Sequence, residues 1–120
     1  MRRLLPRLAV ALLIPLSMGA CASGGPHKEA HNPSTLFSPV VRTGNLYFLS
    51  GVIGTRQGEL NGIEPETRRV LEGIRSRLES VGATMDDVVK CTVFLVDMGD
   101  YNAMNQIYST FWPSNPPART

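Results

Sequence analysis

The chain has 120 residues, of which 12 are Lys or Arg and 10 are Asp or Glu, so its formal net charge is +2. This length allows one domain, and the near balance of charge argues against a strongly basic nucleic-acid-binding protein. Its two cysteines cannot form a framework of several disulfides. The composition therefore predicts a single domain whose stability does not come from disulfide bonds.

The first 21 residues have the pattern of an export signal. Three arginines precede an apolar run over residues 8–18, which is too short to span a bilayer because a spanning helix needs about 20 apolar residues. Met18-Gly19-Ala20-Cys21 resembles a bacterial lipoprotein box, in which the cysteine is acylated. We therefore expect residues 1–21 to be a signal that leaves the protein in the periplasm or cell envelope, anchored to the membrane through Cys21. The alternative is cleavage before Ser23, which gives a soluble exported protein.

Residues 22–38 are rich in Gly, Pro, Ser, His and Asn, a composition typical of a flexible tether. Loss of the signal would remove three arginines and leave nine basic against ten acidic residues, a net charge of −1. The mature chain then lacks the basic surface that binds nucleic acid, so no nucleic-acid partner is predicted. His27 and His31 are four residues apart, but prolines on both sides disfavour a helix and no third ligand is near, so no metal site is predicted.

Order is predicted to begin near Pro39. Two short apolar runs, Val40–Thr43 and Leu46–Ser50, flank Gly44-Asn45, a two-residue turn that favours a hairpin. A helix follows, with Pro65 in its first turn and an end at Gly82. Its predicted buried face consists of apolar residues at helical spacing, Val70, Leu71, Ile74, Leu78 and Val81.

The second half of the chain predicts a strand and then another helix. Val88–Val96 alternates, with Val89, Cys91, Val93 and Leu95 on one face, and Cys91 is predicted to be a small buried hydrophobic residue. The second helix ends at Pro113 and carries an aromatic stripe more typical of a core than of a cofactor site, formed by Tyr101, Met104, Tyr108 and Phe111. The order of elements predicts an α+β fold, a sheet with two helices packed on one face.

The tail Pro116-Pro117-Ala118-Arg119-Thr120 contains the candidate ligand-binding side chain. A proline pair favours an extended backbone, and an arginine binds a planar carboxylate through two parallel hydrogen bonds. Arg119 is thus the candidate for binding a small acid. The alternative is a solvated arginine near a chain end.

Several segments in order resemble the RidA (YjgF) family. They are Val41 to Gly51 (VRTGNLYFLSG), Asp86 to Leu95 (DDVVKCTVFL), Asp97 to Tyr101 (DMGDY), Asn105 to Phe111 (NQIYSTF) and Pro117 to Thr120 (PART). The resemblance implies a chorismate-mutase-like α+β fold and a homotrimer with clefts between subunits. It also implies an enamine/imine deaminase that hydrolyses reactive 2-imino acids to 2-keto acids and ammonia, without a metal or organic cofactor.

The same resemblance implies the site residues. Arg119 lies in the family's P-A-R-S/T motif and would bind the substrate carboxylate, while Ser50, the Gly51 backbone and Asn105 would position substrate and water. Phe37 is the nearest counterpart of a tyrosine that many deaminase members carry. From the residues alone, Ser50 is a turn hydroxyl and Asn105 a helix-surface amide.

The family continues for about one or two strands beyond the P-A-R motif, so residues 39–120 are expected to form a domain without its final strand or strands. We expect residues 1–120 alone to fold poorly, assemble weakly and show little deaminase activity. Two alternatives to the deaminase follow: a non-catalytic binder of small carboxylates on the same fold, or an inactive truncated domain. The endoribonuclease label of some relatives is a third interpretation, against which the acidic balance of the mature chain argues.

Overall fold

The computed structural model describes residues 27–120. The predicted signal, Cys21 and the beginning of the tether lie outside the described residues. Within the described part of the chain, no helix is both long enough and apolar enough to cross a membrane.

The described part of the chain begins with a three-stranded antiparallel sheet. The strands β1 (Lys28–His31), β2 (Val40–Thr43) and β3 (Leu46–Leu49) lie in the order β1-β2-β3. The predicted hairpin is confirmed, since Thr43 pairs with Leu46 across the two-residue turn. Gly44 has a φ of +58° there, a conformation that glycine adopts without a steric penalty and that two-residue hairpin turns require.

The first helix, α1, runs over Ile63–Glu79. Glu64 and Glu66 lie in its first turn and Arg77 in its last, which is the charge order that the helix dipole favours. Its apolar residues face inward and its predicted amphipathic character is confirmed, with Leu71 and Leu78 buried.

The second half of the domain is a parallel β-α-β unit. The strands β4 (Lys90–Cys91) and β5 (Ala118–Arg119) are connected through the helix α2 (Tyr101–Phe111). Two 3-10 turns, Met85–Asp87 and Met98–Asp100, precede β4 and α2. Parallel pairing needs such a crossover, and the helix fills it.

The core lies where the two helices pack against each other and the strands. Its buried members are Leu71, Leu78, Met85, Met104, Tyr108, Phe111 and Trp112. The Trp112 indole donates a hydrogen bond of 2.8 Å to the Met85 carbonyl, so its one polar atom is satisfied inside the core. The architecture is the predicted α+β fold with two helices and a sheet.

Three local features differ from the sequence-based expectation. The strand β1 lies in the segment expected to be a flexible tether, because its backbone pairs with β2 from Lys28–Thr43 to His31–Val40. The predicted strand Val88–Val96 forms regular strand pairing only at Lys90–Cys91, although the Val93 amide still bonds the Thr120 carbonyl at 2.8 Å. Val89 is exposed rather than inward, because the regular alternation starts only at Cys91, beyond the 3-10 turn.

Candidate active site

Arg119 is held at the centre of the candidate site by the pairing of β5 with β4. The amide of Ala118 donates to the Val89 carbonyl at 3.1 Å, and the amide of Thr120 donates to the Cys91 carbonyl at 3.0 Å. Both neighbours of Arg119 are fixed in a parallel ladder, so the backbone of Arg119 is fixed as well. Its side chain leaves the strand on the side of α2, where it lies against Tyr108. The half-buried Arg119 is therefore a positioned side chain and not a solvated one.

The guanidinium of Arg119 is enclosed by side chains of α2. Its central carbon lies 4.6 Å from the ring centroid of Tyr108 and 5.6 Å from that of Tyr101, within the range of cation-π attraction. One terminal nitrogen, Nη2, donates a hydrogen bond to the Tyr101 hydroxyl at 3.2 Å, and Nη1 lies 4.0 Å from the Met104 sulfur. These contacts still leave several of the five guanidinium N–H groups for a ligand.

Asn105 follows Tyr101 by one helical turn, so both side chains lie on the face of α2 that looks towards Arg119. A cleft of about 340 Å³ begins at this point. Its walls are mainly aromatic and proline side chains, and the lining residues are Asn105, Tyr108, Ser109, Trp112, Pro116, Pro117 and Arg119. The cleft thus combines one cation and one amide with an apolar wall, a combination suited to a small acid.

The titratable groups around Arg119 have shifted pKa values. The Asn105 amide, and then the hydrogen bond and charge of Arg119, lower the pKa of the exposed Tyr101 phenol. Burial raises the pKa of Tyr108 to about 12, and the neighbouring Cys91 thiol adds to the increase. Burial also raises the pKa of the Cys91 thiol, against smaller opposing effects of Tyr108 and Arg119. The site therefore has an exposed phenol that is more acidic than usual, together with a buried phenol and a half-buried thiol that stay protonated at neutral pH.

The hydroxyl of Tyr108 is a buried polar group with no hydrogen-bond partner among the described residues. The residue is only 6% exposed, and the Cys91 thiol lies beside it without meeting the geometry of a hydrogen bond. Tyr108 therefore serves the site through its ring, which lies against Arg119, and not through its hydroxyl.

Ser50 and Gly51 form a second group, at the end of β3. The Ser50 hydroxyl donates to the Ser38 carbonyl at 2.7 Å, and the Ser50 amide donates to the Pro39 carbonyl at 2.9 Å. Arg77 of α1 donates to the carbonyls of both Ser50 and Gly51, at 3.4 Å for Gly51. The turn is thus fixed from two sides, while Gly51 has open space around its Cα.

Phe37 lies close to this second group in the sequence but makes different contacts. It is 54% exposed, and its backbone closes a tight turn in which its amide bonds the Ser34 hydroxyl at 3.1 Å. No hydrogen bond of Phe37 or Ser50 within the described residues reaches Arg119 or Asn105. Of the sequence-predicted site residues, the single chain brings together Arg119 and Asn105 and leaves the Ser50 group apart from them.

Three contributors to the site were not predicted from the sequence. The sequence predicts that Tyr101 and Tyr108 belong to an aromatic core stripe, and it assigns no role to Arg77. The i, i+4 spacing of Tyr101 and Asn105 places both on one helix face and could have indicated the first of these. Nothing in the sequence indicates that Arg77 crosses to the Ser50 turn. In the described part of the chain, no group of three or more His, Cys, Asp or Glu side chains could hold a metal ion.

Comparison with known proteins assigns the family. The family model described as Endoribonuclease L-PSP matches residues 27–120, which include β1 as well as the segments that carry the resemblance. A RutC family protein of Pyrococcus abyssi is 38% identical over 96 residues, which cover 77% of this chain and 76% of the relative. The chain belongs to the RidA family.

Two further relatives connect the family to named proteins. The chloroplastic Reactive Intermediate Deaminase A of Arabidopsis thaliana is 35% identical over 88 residues, 70% of this chain and 47% of the relative. The crystal structure of RidA from an Antarctic Psychrobacter species matches with a TM-score of 0.65 at 30% identity. That match covers 73% of this chain and 76% of the other, so the α+β fold of the RidA family is established here.

Proposed function

We propose that the protein hydrolyses small 2-imino acids to 2-keto acids and ammonia. The observation that carries this proposal is Arg119, a cation oriented by two aromatic rings and open to a cleft that also presents Asn105. The relative named as a Reactive Intermediate Deaminase A supports the same class of reaction. The substrates in question are of the 2-iminopropanoate and 2-iminobutanoate type.

In this proposal Arg119 binds the substrate carboxylate through two N–H groups. A protonated imine already attracts a nucleophile, so the reaction depends more on orientation than on a strong base. The rings that flank the guanidinium restrict its rotation, which lowers the entropy lost when the carboxylate binds. The Asn105 amide, at the same end of the cleft, hydrogen-bonds the attacking water or the imine nitrogen.

The chemical step adds water across the C=N bond. The water oxygen bonds to the imine carbon, the π electron pair moves to nitrogen, and the water proton ends on that nitrogen. The C–N bond of this carbinolamine then breaks with its electron pair on nitrogen, and the hydroxyl proton passes to solvent water to give the ketone. Ammonia and the 2-keto acid are the products, and the sequence of steps consumes one water without an oxidant or reductant.

We further propose that the complete site forms between protomers of a homotrimer. The Ser50–Gly51 turn is separate from Arg119 within one chain, so a neighbouring protomer must supply it if both act on one substrate. The turn is suited to this role because Ser38, Pro39 and Arg77 fix its position.

The test of the deaminase uses 2-iminopropanoate generated in situ by an amino-acid oxidase and trapped with semicarbazide. Arg119→Ala removes the carboxylate anchor, and we expect kcat/KM to fall about 10- to 100-fold, since a hydrogen bond to a charged group contributes about 1.5–3 kcal/mol. The matched control is Arg68→Ala, which removes an equal charge from the exposed side of α1. Imine loss that is equally fast with wild type and Arg119→Ala would contradict the proposal.

A non-catalytic binder of small carboxylates is the second candidate, and the lining of the cleft favours it in one respect. Arg119 and Asn105 are present there, but among residues 27–120 no Asp, Glu or His lines the cleft to take a proton from water. A binder retains pyruvate affinity that depends on Arg119 and does not accelerate imine hydrolysis. Calorimetric titration with pyruvate alongside the imine assay separates the two candidates.

We also propose that the protein acts after export, anchored through a lipid on Cys21. The sequence supports this proposal through a basic start, a short apolar run and a lipoprotein-like box. Intact-mass measurement on protein from its own cells tests it, because acylation at Cys21 and cleavage before Ser23 give different masses.

A further inference from the structure

Tyr101 lies beside Arg119 and Asn105, two of the residues that line the cleft, and its hydroxyl is not used by the mechanism above. It is the first residue of α2 and is 42% exposed, in contrast to Tyr108 on the same helix. Its oxygen accepts a hydrogen bond from Arg119 Nη2 at 3.2 Å. Because the oxygen acts as an acceptor towards Arg119, its own O–H remains a donor for another group.

The short distance between these two groups determines what else can bind there. A carboxylate oxygen typically lies about 2.7–2.9 Å from a charged N–H donor and about 2.5–2.7 Å from an O–H donor. Since Nη2 and the Tyr101 oxygen are 3.2 Å apart, one ligand oxygen can be within reach of both at the same time. Nη2 carries two hydrogens, so its bond to Tyr101 and its bond to a ligand do not exclude each other.

We propose that the Tyr101 hydroxyl donates a third hydrogen bond to the substrate carboxylate that Arg119 binds. This inference rests on the proposed function, because it concerns the same carboxylate. It makes Tyr101 a substrate-binding residue that shares one carboxylate oxygen with Arg119. The ligand class is any small 2-keto or 2-imino acid, since the contact involves the carboxylate alone.

The electrostatics of the site are consistent with a donor role. The Asn105 amide and Arg119 both lower the pKa of Tyr101, and a more acidic phenol donates a stronger hydrogen bond to an anion. The other titratable groups near Arg119 are the buried Tyr108 and the half-buried Cys91, and the pKa of each is raised. Among these three groups, Tyr101 is the one whose deprotonation is favoured.

The experiment compares pyruvate binding to the full protein and its Tyr101→Phe variant by isothermal titration calorimetry. Phenylalanine keeps the ring beside Arg119 and removes only the hydroxyl. We expect pyruvate to bind Tyr101→Phe about tenfold more weakly, the lower end for a hydrogen bond to a charged group at a partly exposed site. The matched control is Tyr47→Phe, which removes a hydroxyl from β3, where the ring contacts His31 and Arg42. This control should bind pyruvate as wild type does.

A pH series distinguishes a direct contact from a purely structural one. Wild type should lose pyruvate affinity as the pH rises towards 10, because the phenol loses its proton and then repels the carboxylate. Tyr101→Phe should lack this loss, so the difference in pyruvate affinity between it and wild type should shrink as the pH rises. Titration of Tyr108 and Cys91 does not affect this comparison, since both residues are the same in the two proteins. Weaker binding by Tyr101→Phe with an unchanged pH profile would overturn the proposal, because it would show that Tyr101 only orients Arg119.

A third variant separates this inference from the proposed function. If Arg119→Ala abolishes pyruvate binding while Tyr101→Phe binds as wild type, the Arg119 anchor stands and the Tyr101 contact is wrong. If Arg119→Ala binds pyruvate as wild type, the carboxylate anchor itself is wrong and both proposals fail. Near-UV circular dichroism of each variant shows that a loss of binding does not come from unfolding.

Discussion

Arg119 shows how neighbouring residues convert a flexible side chain into a binding group. A free arginine loses about 2 kcal/mol of rotamer entropy when it is fixed. Here the rings of Tyr101 and Tyr108 and the hydrogen bond to Tyr101 fix much of that freedom before a ligand arrives. Arg119 then loses less side-chain entropy when the carboxylate binds, so the binding free energy is more favourable.

The alkylation rate of Cys91 tests whether burial raises the pKa of the groups beside Arg119. Burial is the main cause that raises the pKa of its thiol, so little thiolate is present at pH 8. Because the thiolate is the reactive form, we expect iodoacetamide to modify Cys91 at pH 8 at least about tenfold more slowly than in the chain unfolded by urea. Peptide mass spectrometry separates Cys91 from Cys21, the other cysteine of the chain.

Tyr108→Phe is the diagnostic variant for this measurement. The Tyr108 hydroxyl has no hydrogen bond to the neutral thiol, but it lies beside the sulfur and can donate to the thiolate once that forms, which partly opposes the effect of burial. Its removal should therefore raise the Cys91 pKa further and slow alkylation again. The Tyr47→Phe variant, away from this cluster, should leave the rate unchanged. Alkylation that is as fast in the folded protein as in urea would show that the thiol is exposed and not held in a low-dielectric setting.

At the scale of elements, the apolar periodicity of the sequence predicted the two helices but missed the strand that depends on pairing with another strand. The apolar spacing of Leu71, Ile74 and Leu78 and of Met104, Tyr108 and Phe111 was enough to predict both helices and their buried faces. The strand β1 could not be predicted, because it depends on pairing with β2 and not on its own composition. Tyr101 was missed for a similar reason, since the stripe pattern does not show where the core ends and the cleft begins.

The loop between β3 and α1 lies very close to the helix at Gly54. Gly54 is buried against the first turn of α1, and a Cβ there would lie 2.7 Å from both the Cβ and the carbonyl oxygen of Glu66. Glu66 cannot move freely, because its carboxylate bonds the Gly62 amide at 3.0 Å and the Thr55 hydroxyl at 2.9 Å. The contact therefore involves a fixed helix start.

We expect Gly54→Ala to lower the free energy of unfolding by about 1–3 kcal/mol, the usual cost of overpacking a close contact. Urea denaturation followed by circular dichroism measures this change. The control is Gly51→Ala, because no atom lies within 4 Å of its added Cβ and its stability should be unchanged or slightly higher. Equal midpoints for Gly54→Ala and wild type would show that the loop moves away from α1 without cost.

At the scale of the whole molecule, residues 27–120 present an apolar surface that they do not themselves cover. The helices pack on the sheet face that carries Val40 and Leu49, so Leu46 and Phe48 lie on the opposite face of β3. Phe48 is 58% exposed, and Phe94, which follows β4, is 90% exposed. Exposed aromatic side chains favour an interface with another chain. The homotrimer that the family resemblance implies would cover them with further copies of this protein.

We expect Phe94→Glu to reduce the molar mass measured by light scattering from that of three chains to that of one. A carboxylate buried in an apolar interface is costly, whereas the isolated chain already exposes this side chain and loses little by the change. Leu60→Glu is the control, since Leu60 is similarly exposed at 81% but lies in the loop before α1 and should leave the trimer intact.

If the Ser50 turn of one protomer completes the Arg119 cleft of another, Phe94→Glu must also lose imine hydrolysis, although its own Arg119 and Asn105 are unchanged. A single-chain mass for wild type would contradict the trimer, and full activity in a monomeric Phe94→Glu would show that Arg119 and Asn105 suffice without the Ser50 turn.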